Sequence, residues 1–257
     1  MHKITGRSFW KPVLRRCTFS TITQKGWKDP MYLTIRGLVL RVTPYNDTDA
    51  LLTVLSHKYG KLTIKARGLR RKNSPLIAPC QLLAYGEFVL FEYRDMYTIN
   101  EAHSIELFQN LRKDLQKLSL GTYFAQVAEI LSQEDIPNPE LLSLVLNCLY
   151  ALSKLDLPEE QVKAVFELRC ACISGYMPDL NGCHRCGSRY PNRLDIAEGR
   201  LECVGCRDPF SDGIRMPVSA GALDAMRYIS TCDSKRLFSF TAGDQDRKST
   251  RLNSSHA

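Results

Sequence analysis

The amino-acid sequence predicts an α+β protein with an N-terminal five-stranded OB-fold barrel, followed by an α-helical domain that carries a four-cysteine zinc insert. Three observations lead there. From Tyr32 to about Ile105, short runs alternate apolar and polar residues between turn-forming residues, and from Glu106 to about Ser174 the apolar spacing lengthens to three and four. Beyond that, two Cys-x-x-Cys pairs stand sixteen residues apart, Cys183 with Cys186 and Cys203 with Cys206. The boundaries that follow are 31–105 for the barrel, 106–246 for the helical domain and 181–210 for the insert within it.

The strands are "YLTIRGLVLRV", "ALLTVLS", "KLTIKAR", "EFVLFEY" and "MYTINEA". Turn chemistry divides them at Pro44-Tyr45-Asn46-Asp47, at Tyr59-Gly60 and at Arg94-Asp95. Five short strands in so few residues suit a small closed barrel, of which the OB-fold is the commonest form. A short helix over "PLIAPCQLL" is expected between the third and fourth strands, although its two prolines weaken it.

In the helical segment, Leu107, Leu111, Leu115 and Leu118 recur at helical steps, and Phe124, Val127, Ala128 and Leu131 carry the face onward until Pro137 and Pro139 end it. The run "LLSLVLNCLYAL" is apolar nearly all round and is expected to be the central helix. Asp156 with Glu159 has the pattern of a capping box opening a third helix, which Gly175 can terminate.

Each Cys-x-x-Cys turn lets two sulfurs point at one ion, so Cys183, Cys186, Cys203 and Cys206 are expected to hold one structural zinc, with Gly187 and Gly205 easing the knuckles. A redox dithiol would need one pair beside a βαβ pattern, and two disulfides would need an oxidising compartment. His184 lies between two ligands, but four sulfurs already complete a tetrahedron. Cys80, Cys148, Cys170, Cys172 and Cys232 stand in apolar contexts and are expected to be small core residues.

The formal net charge of +8 is an end effect. Residues 1–30 carry +6 and residues 247–257 carry +3, which leaves −1 between them. The local distribution is more informative: no acidic residue lies between Asp49 and Glu87, while Lys58, Lys61, Lys65, Arg67, Arg70, Arg71 and Lys72 do. On the third strand Lys61, Thr63, Lys65 and Arg67 share one face while Leu62, Ile64 and Ala66 take the other. A charge run is commonly just a solvated face. Here, like charges at every second residue repel without a counter-ion, and barrels of this type bind single strands in basic grooves. Lys61, Lys65, Arg67, Arg70, Arg71 and Lys72 are therefore the expected DNA-binding residues, with Tyr45, Tyr59 and Tyr85 as candidate stacking faces.

Several classes are not signalled. The sequence has no phosphate-binding G-x-x-x-x-G-K-[ST] loop, no zinc-deaminase pair of motifs and no H-E-x-x-H. His57 and His103 have no evident nucleophile or base beside them, so no catalysis is expected. The richest apolar stretch, Leu141 to Leu155, is too short and interrupted for a membrane span. Residues 1–30 have the composition of a transit peptide without its amphipathic period, and are expected to be translation upstream of a start at Met31 or disordered. "RKSTRLNSSHA" has no apolar period and reads as an artefactual, adaptor-like tail, which implies a C-terminal truncation.

Taken together, "IRGLVLRVTPYNDTDALLTVLSHKYGKL", the "ARGLRRKNS" turn and "GYMPDLNGCHRCG" resemble the bacterial RecO family of DNA repair proteins, over about Met31 to Phe240. The resemblance implies a recombination mediator of the bacterial cytoplasm and nucleoid. Such a protein binds single- and double-stranded DNA, anneals complementary strands, and acts with RecR on single-strand-binding protein so that RecA can load. After "RLFSF" the family's further helices, which contribute to docking single-strand-binding protein, are not recognisable. Two rivals remain at this level. One is a metal-dependent nucleic-acid enzyme, with Glu202 the only carboxylate beside a ligand. The other is an RNA-binding module that pairs an OB barrel with a zinc ribbon.

Overall fold

The computed structural model describes residues 32–93, 96–155, 157–206 and 213–240, with Tyr93 described by its backbone alone. Five strands close a barrel in the order β1-β2-β3-β5-β4, formed by β1 (Tyr32–Pro44), β2 (Ala50–Ser56), β3 (Gly60–Ala66), β4 (Tyr85–Tyr93) and β5 (Met96–Glu106). All pairings are antiparallel except β3 with β5, which closes the ring. This is the Greek-key arrangement of the OB-fold. A single long strand serves two neighbours: the first half of β1 pairs with β4 and the second with β2. The change of partner needs a sharp coil, and Gly37 supplies it, because a Cβ there would collide with Val54 and the Leu55 carbonyl.

β2 is buried on both faces, unlike the half-exposed pattern its alternation suggests. Leu52 and Val54 fill the barrel, while Leu55 turns outward into the core of the helices, with Leu38 and Leu40 of β1 beside it. The barrel wall is therefore the floor of the helical domain.

The segment Pro75 to Leu83, expected as a short helix, is a run of turns. It forms one helical bond, Cys80 N–H to Leu76 O at 3.0 Å. Pro79 has no N–H to continue it, and Leu83, at φ 64, turns the chain out of helical register. The loop instead docks on the irregularity in β1: Leu83 N–H donates to Val39 O and Val39 N–H to Ala84 O, both 2.9 Å.

The first helix begins later than the leucine spacing implies. Phe108, at φ 46, and a 3-10 turn over Gln109–Lys113 interrupt the chain, and α1 (Leu115–Leu131) opens at Asp114, whose carboxylate accepts from Gln116 N–H and Lys117 N–H. Leu107 and Leu111 therefore precede the helix, and Leu115 in its first turn is exposed. Asn138 caps α2 (Pro139–Lys154), with Pro139 in the first turn, where its missing N–H costs nothing. This helix is the centre of the bundle, with nine of its residues buried, but its all-round apolar composition does not bury it on every side: Ser143, Leu146 and Asn147 are half-buried and Tyr150 is exposed.

α3 (Glu159–Ile173) opens at Pro158, which makes no side-chain cap; Asp156, the first residue of the expected capping box, lies outside the described residues. Its end is as predicted. Gly175, at φ 86, lets Gly175 N–H reach Cys172 O and Tyr176 N–H reach Ala171 O, the paired bonds of a Schellman motif.

The cysteine segment builds a small sheet of its own. β6 (Asp179–Cys183), β7 (Arg193–Asp195), β8 (Arg200–Glu202) and β9 (Arg215–Pro217) form a four-stranded sheet in the order β6-β8-β7-β9, and α4 (Ala220–Thr231) packs beside it. Arg169 of α3 ties α4 to the bundle by donating to the carbonyls of Ile229, Ser230 and Cys232 at its C-terminal end.

Candidate nucleic-acid surface and metal centre

The six cations predicted to contact DNA fall into two groups. Lys61, half-buried at the start of β3, donates from Nζ to the Glu129 carbonyl of α1 at 3.2 Å, and so joins barrel to bundle. Lys65 lies 3.3 Å from Asp49 Oδ2 and 4.7 Å from the centre of the Tyr45 ring, with a side chain only 20% exposed. The row on β3 is thus not a free file of charges.

The second group stands at the end of the strand. Gly68, at φ 67, breaks β3 and starts a turn that carries Arg67, Arg70, Arg71 and Lys72, all exposed. Arg67 lies over the Phe91 ring at 5.7 Å, and Arg70 donates to Asn46 O at 2.7 Å. Among the described residues none of these four makes an ion pair with a carboxylate. The loop owes its shape to the facing β1–β2 turn: Arg70 N–H donates to Thr48 O at 3.0 Å and Gly68 N–H to Asp49 Oδ1 at 2.9 Å. The Gly68 N–H, against the opposing effect of burial and with help from Asn46, Lys65 and Thr48, holds the Asp49 carboxyl at about 2.

Lys58 belongs to a different place. With His57, Tyr59, Tyr85 and the Arg36–Glu87 ion pair, it lines an open groove of about 420 Å³ at the other end of β3, roughly 20 Å away at the usual rise of a strand. Of the stacking candidates, Tyr45 and Tyr59 are exposed, whereas Tyr85 is half-buried against the helical core.

The four cysteines converge. Their sulfurs all lie within 4.8 Å of one another, and the Cys186 and Cys203 sulfurs are 3.8 Å apart. A tetrahedron with metal–sulfur bonds of about 2.3 Å has sulfur–sulfur edges of about 3.8 Å, so the donor set fits one thiolate-loving ion. Cys183 ends β6, and Gly187, at φ 72, turns the first knuckle so that its N–H returns to Cys183 O. The second knuckle is a 3-10 turn over Val204–Cys206 and needs no left-handed residue, so Gly205 has no conformational duty there.

The electrostatics agree with the geometry. Burial opposes ionisation of Cys183, but the N–H groups of Cys186, Arg185 and Cys203 outweigh it and bring its thiol down to about 6. Contact with the Cys186 thiol, with burial and Cys183 adding, pushes Cys206 up to about 12. One thiolate forms readily and hinders ionisation of Cys203 and Cys206, which a dication bound among the sulfurs would relieve.

Two features of this module escape sequence inspection. Arg227 of α4 donates to the carbonyls of Leu180 at 2.8 Å and Arg189 at 2.7 Å, and its guanidinium lies 5.5 Å from the Tyr190 ring, which clamps the first knuckle to the helix. Beneath the sheet, Arg215 pairs with both Asp195 and Glu202, and all three side chains are at least nine-tenths buried. Glu202 is therefore buried in an ion pair with an arginine, which leaves its carboxylate engaged. Only its position next to Cys203 was visible beforehand. The isolated His184 is exposed, with Nδ1 3.0 Å from the Leu201 carbonyl. Cys80, Cys148 and Cys170 are buried; Cys172 and Cys232 are partly so.

Comparison with known families matches residues 31–108 to "Recombination protein O N terminal" and residues 112–251 to "Recombination protein O C terminal". The chain belongs to the RecO family. Its curated relatives include the DNA repair protein RecO of Acetivibrio thermocellus, 35% identical over 83% of this chain and 85% of the relative. Those of Alkaliphilus metalliredigens and Bacillus pumilus are 35% and 28% identical, over 73% and 80% of this chain and 77% and 80% of theirs. The RecO match continues to residue 251, past the boundary drawn at 246, so the expected truncation and artefactual tail gain no support from it. Residues 1–31 and 241–257 lie outside the described residues. RecO proteins are mediators and not enzymes. No helix among the described residues is long and apolar enough to cross a membrane.

Proposed function

We propose that this chain is a recombination mediator that binds single- and double-stranded DNA through the basic end of its barrel and anneals complementary strands. With RecR, it helps RecA load on strands coated by single-strand-binding protein. Arg67, Arg70, Arg71 and Lys72 make the phosphate contacts, whereas Lys61 and Lys65, each already held by an oxygen of the chain, flank them without contacting phosphate. The observation that carries the reading is the loop at Gly68: four exposed cations on one short turn, braced from behind, with no carboxylate paired to them among the described residues. Two strands repel chiefly through their phosphates, and a cationic edge that neutralises both lowers that repulsion without cutting or forming a bond. Exposed Tyr45 adds a ring beside this edge.

The metal is one zinc ion, held by Cys183, Cys186, Cys203 and Cys206. When bound it supplies folding energy to the insert, while the chain's own N–H groups and Arg227 orient the sulfurs. The work takes place in the bacterial cytoplasm, at the nucleoid.

The test is oligonucleotide binding over a salt series, followed by strand annealing with and without single-strand-binding protein. Replacing Arg67, Arg70, Arg71 and Lys72 with alanine is expected to weaken binding to every sequence. It should also flatten the salt dependence by about 0.7 per lost single-strand contact. An unchanged slope in a folded variant rules the loop out. Preference for RNA over DNA of the same sequence would favour the RNA-binding alternative.

A further inference from the structure

One carboxylate closes the β1–β2 turn onto the basic loop. Asp49 Oδ1 accepts from Gly68 N–H at 2.9 Å and from the Thr48 hydroxyl at 3.1 Å, while Oδ2 accepts from Asn46 Nδ2 at 3.1 Å and pairs with Lys65 Nζ at 3.3 Å. Asn46 Oδ1 in turn accepts from the N–H groups of Thr48 and Asp49, and the Asn46 carbonyl accepts from Arg70. The Asp49 side chain is 14% exposed, and no other acidic residue follows it in the chain until Glu87.

Two consequences follow from that placement. Arg67, Arg70 and Arg71 flank a glycine turn and repel one another, so the Gly68 N–H bond to Asp49 opposes the opening of the loop. The same anion also occupies Lys65. A phosphate approaching Lys65 has to displace a carboxylate already in contact with it, whereas a phosphate approaching Arg67 or Arg71 meets no carboxylate among the described residues.

We propose that Asp49 is a positioning residue of the nucleic-acid surface. It holds the basic loop in its binding shape and withholds Lys65 from phosphates, which leaves contact to Arg67, Arg70, Arg71 and Lys72. The inference rests on the reading above that this end of the barrel binds polyanions.

The experiment is fluorescence anisotropy of a labelled single-stranded oligonucleotide over a salt series. It compares the full-length, metal-loaded wild type with Asp49→Asn, Lys65→Met and the double variant, each confirmed as folded by circular dichroism. Asp49→Asn keeps an oxygen for Gly68 N–H and removes the charge. Lys65 is then free to join, and the slope of log affinity against log salt should steepen by about 0.7. Lys65→Met alone should leave the slope unchanged, and the double variant should return it to the wild-type value. Asp49→Ala, which removes the acceptor as well, should weaken binding despite its gain in net charge. A slope in Asp49→Asn that equals or falls below the wild type overturns the proposal, and so does a loss of about 0.7 in Lys65→Met. Absence of wild-type binding in dilute salt overturns the functional reading itself, whereas wild-type binding with no steepening overturns only the role of Asp49.

Discussion

The barrel with its helices and the cysteine module are held together by different forces. In the first, Phe124, Val145, Leu149 and Phe166 lie in a cluster that reaches without a break from the bundle to Leu38, Leu40 and Leu55 on the barrel wall. In the second, the fully apolar centre is Leu180, Leu201 and Leu223. Three buried leucines do not offset the entropy of ordering four short strands. The module is assembled instead by four sulfurs, by a buried arginine between two carboxylates and by the Arg227 clamp. One region is stable because it excludes water, the other because buried charges are paired and four sulfurs converge on a site able to hold a metal ion.

Removing the metal is the largest expected blow to that contrast. Thiolate zinc sites supply on the order of 10 kcal/mol or more of apparent folding energy. Cys183→Ser, or a strong chelator on the wild type, should abolish stoichiometric zinc and remove hydrogen-exchange protection from Leu180 through Leu201. Protection in β1, β2 and α2 should persist. If the barrel loses protection together with the module, the two regions form one cooperative unit and the division is wrong.

A matched pair of substitutions sharpens the same point at smaller size. Arg215→Ala leaves Asp195 and Glu202 buried without their partner, at a cost of about 3–5 kcal/mol. Phe124→Ala opens a cavity in the apolar cluster, where the Phe124 and Phe166 ring centres are 4.1 Å apart, at a similar cost of about 3–5 kcal/mol. The expected difference lies in where protection is lost. Arg215→Ala should loosen the module and spare the bundle, and Phe124→Ala should do the reverse.

What the sequence discloses follows the range of the forces involved. The strand runs of β1 to β5, the apolar run of α2 and the cysteine spacing are local patterns, and each has its element in the structure, although β2 is buried on both faces and α2 keeps a partly exposed one. Errors arise where backbone strain or a partner distant in the chain decides the outcome. The leucine step from Leu107 is broken locally, by the left-handed turn at Phe108. Lys61 looks like a free cation until α1 offers it the Glu129 carbonyl, 68 residues away. Asp49 marks the edge of the acid-free stretch, so its position is legible although its contacts are not. A carboxylate at the boundary of a basic run is a signal worth reading as a brace, because it is the nearest anion able to fold back onto the charges. Arg215 and Arg227 carry no comparable mark, since their partners come from β6, β7 and β8 and from the first knuckle.

The smallest expected effect lies in the brace at the basic loop, which belongs to neither force alone. The Gly68 N–H is the chief reason that the Asp49 carboxyl titrates at about 2 and not at its ordinary 3.8; burial opposes this, and Asn46, Lys65 and Thr48 assist it. A carboxyl depressed in the folded state contributes stability that is fully present above its unfolded value and is lost as pH falls through the folded one. The loop should therefore hold its shape down to about pH 4 and open between that and about pH 2. The Gly68 amide resonance reports this directly, since its proton points at Asp49 Oδ1. A midpoint at about 2 is expected for the wild type, with the low-pH transition missing in Asp49→Asn. A midpoint near 3.8 would mean that the amide and the carboxylate do not hold each other in solution, and that the loop's four cations are presented without a brace.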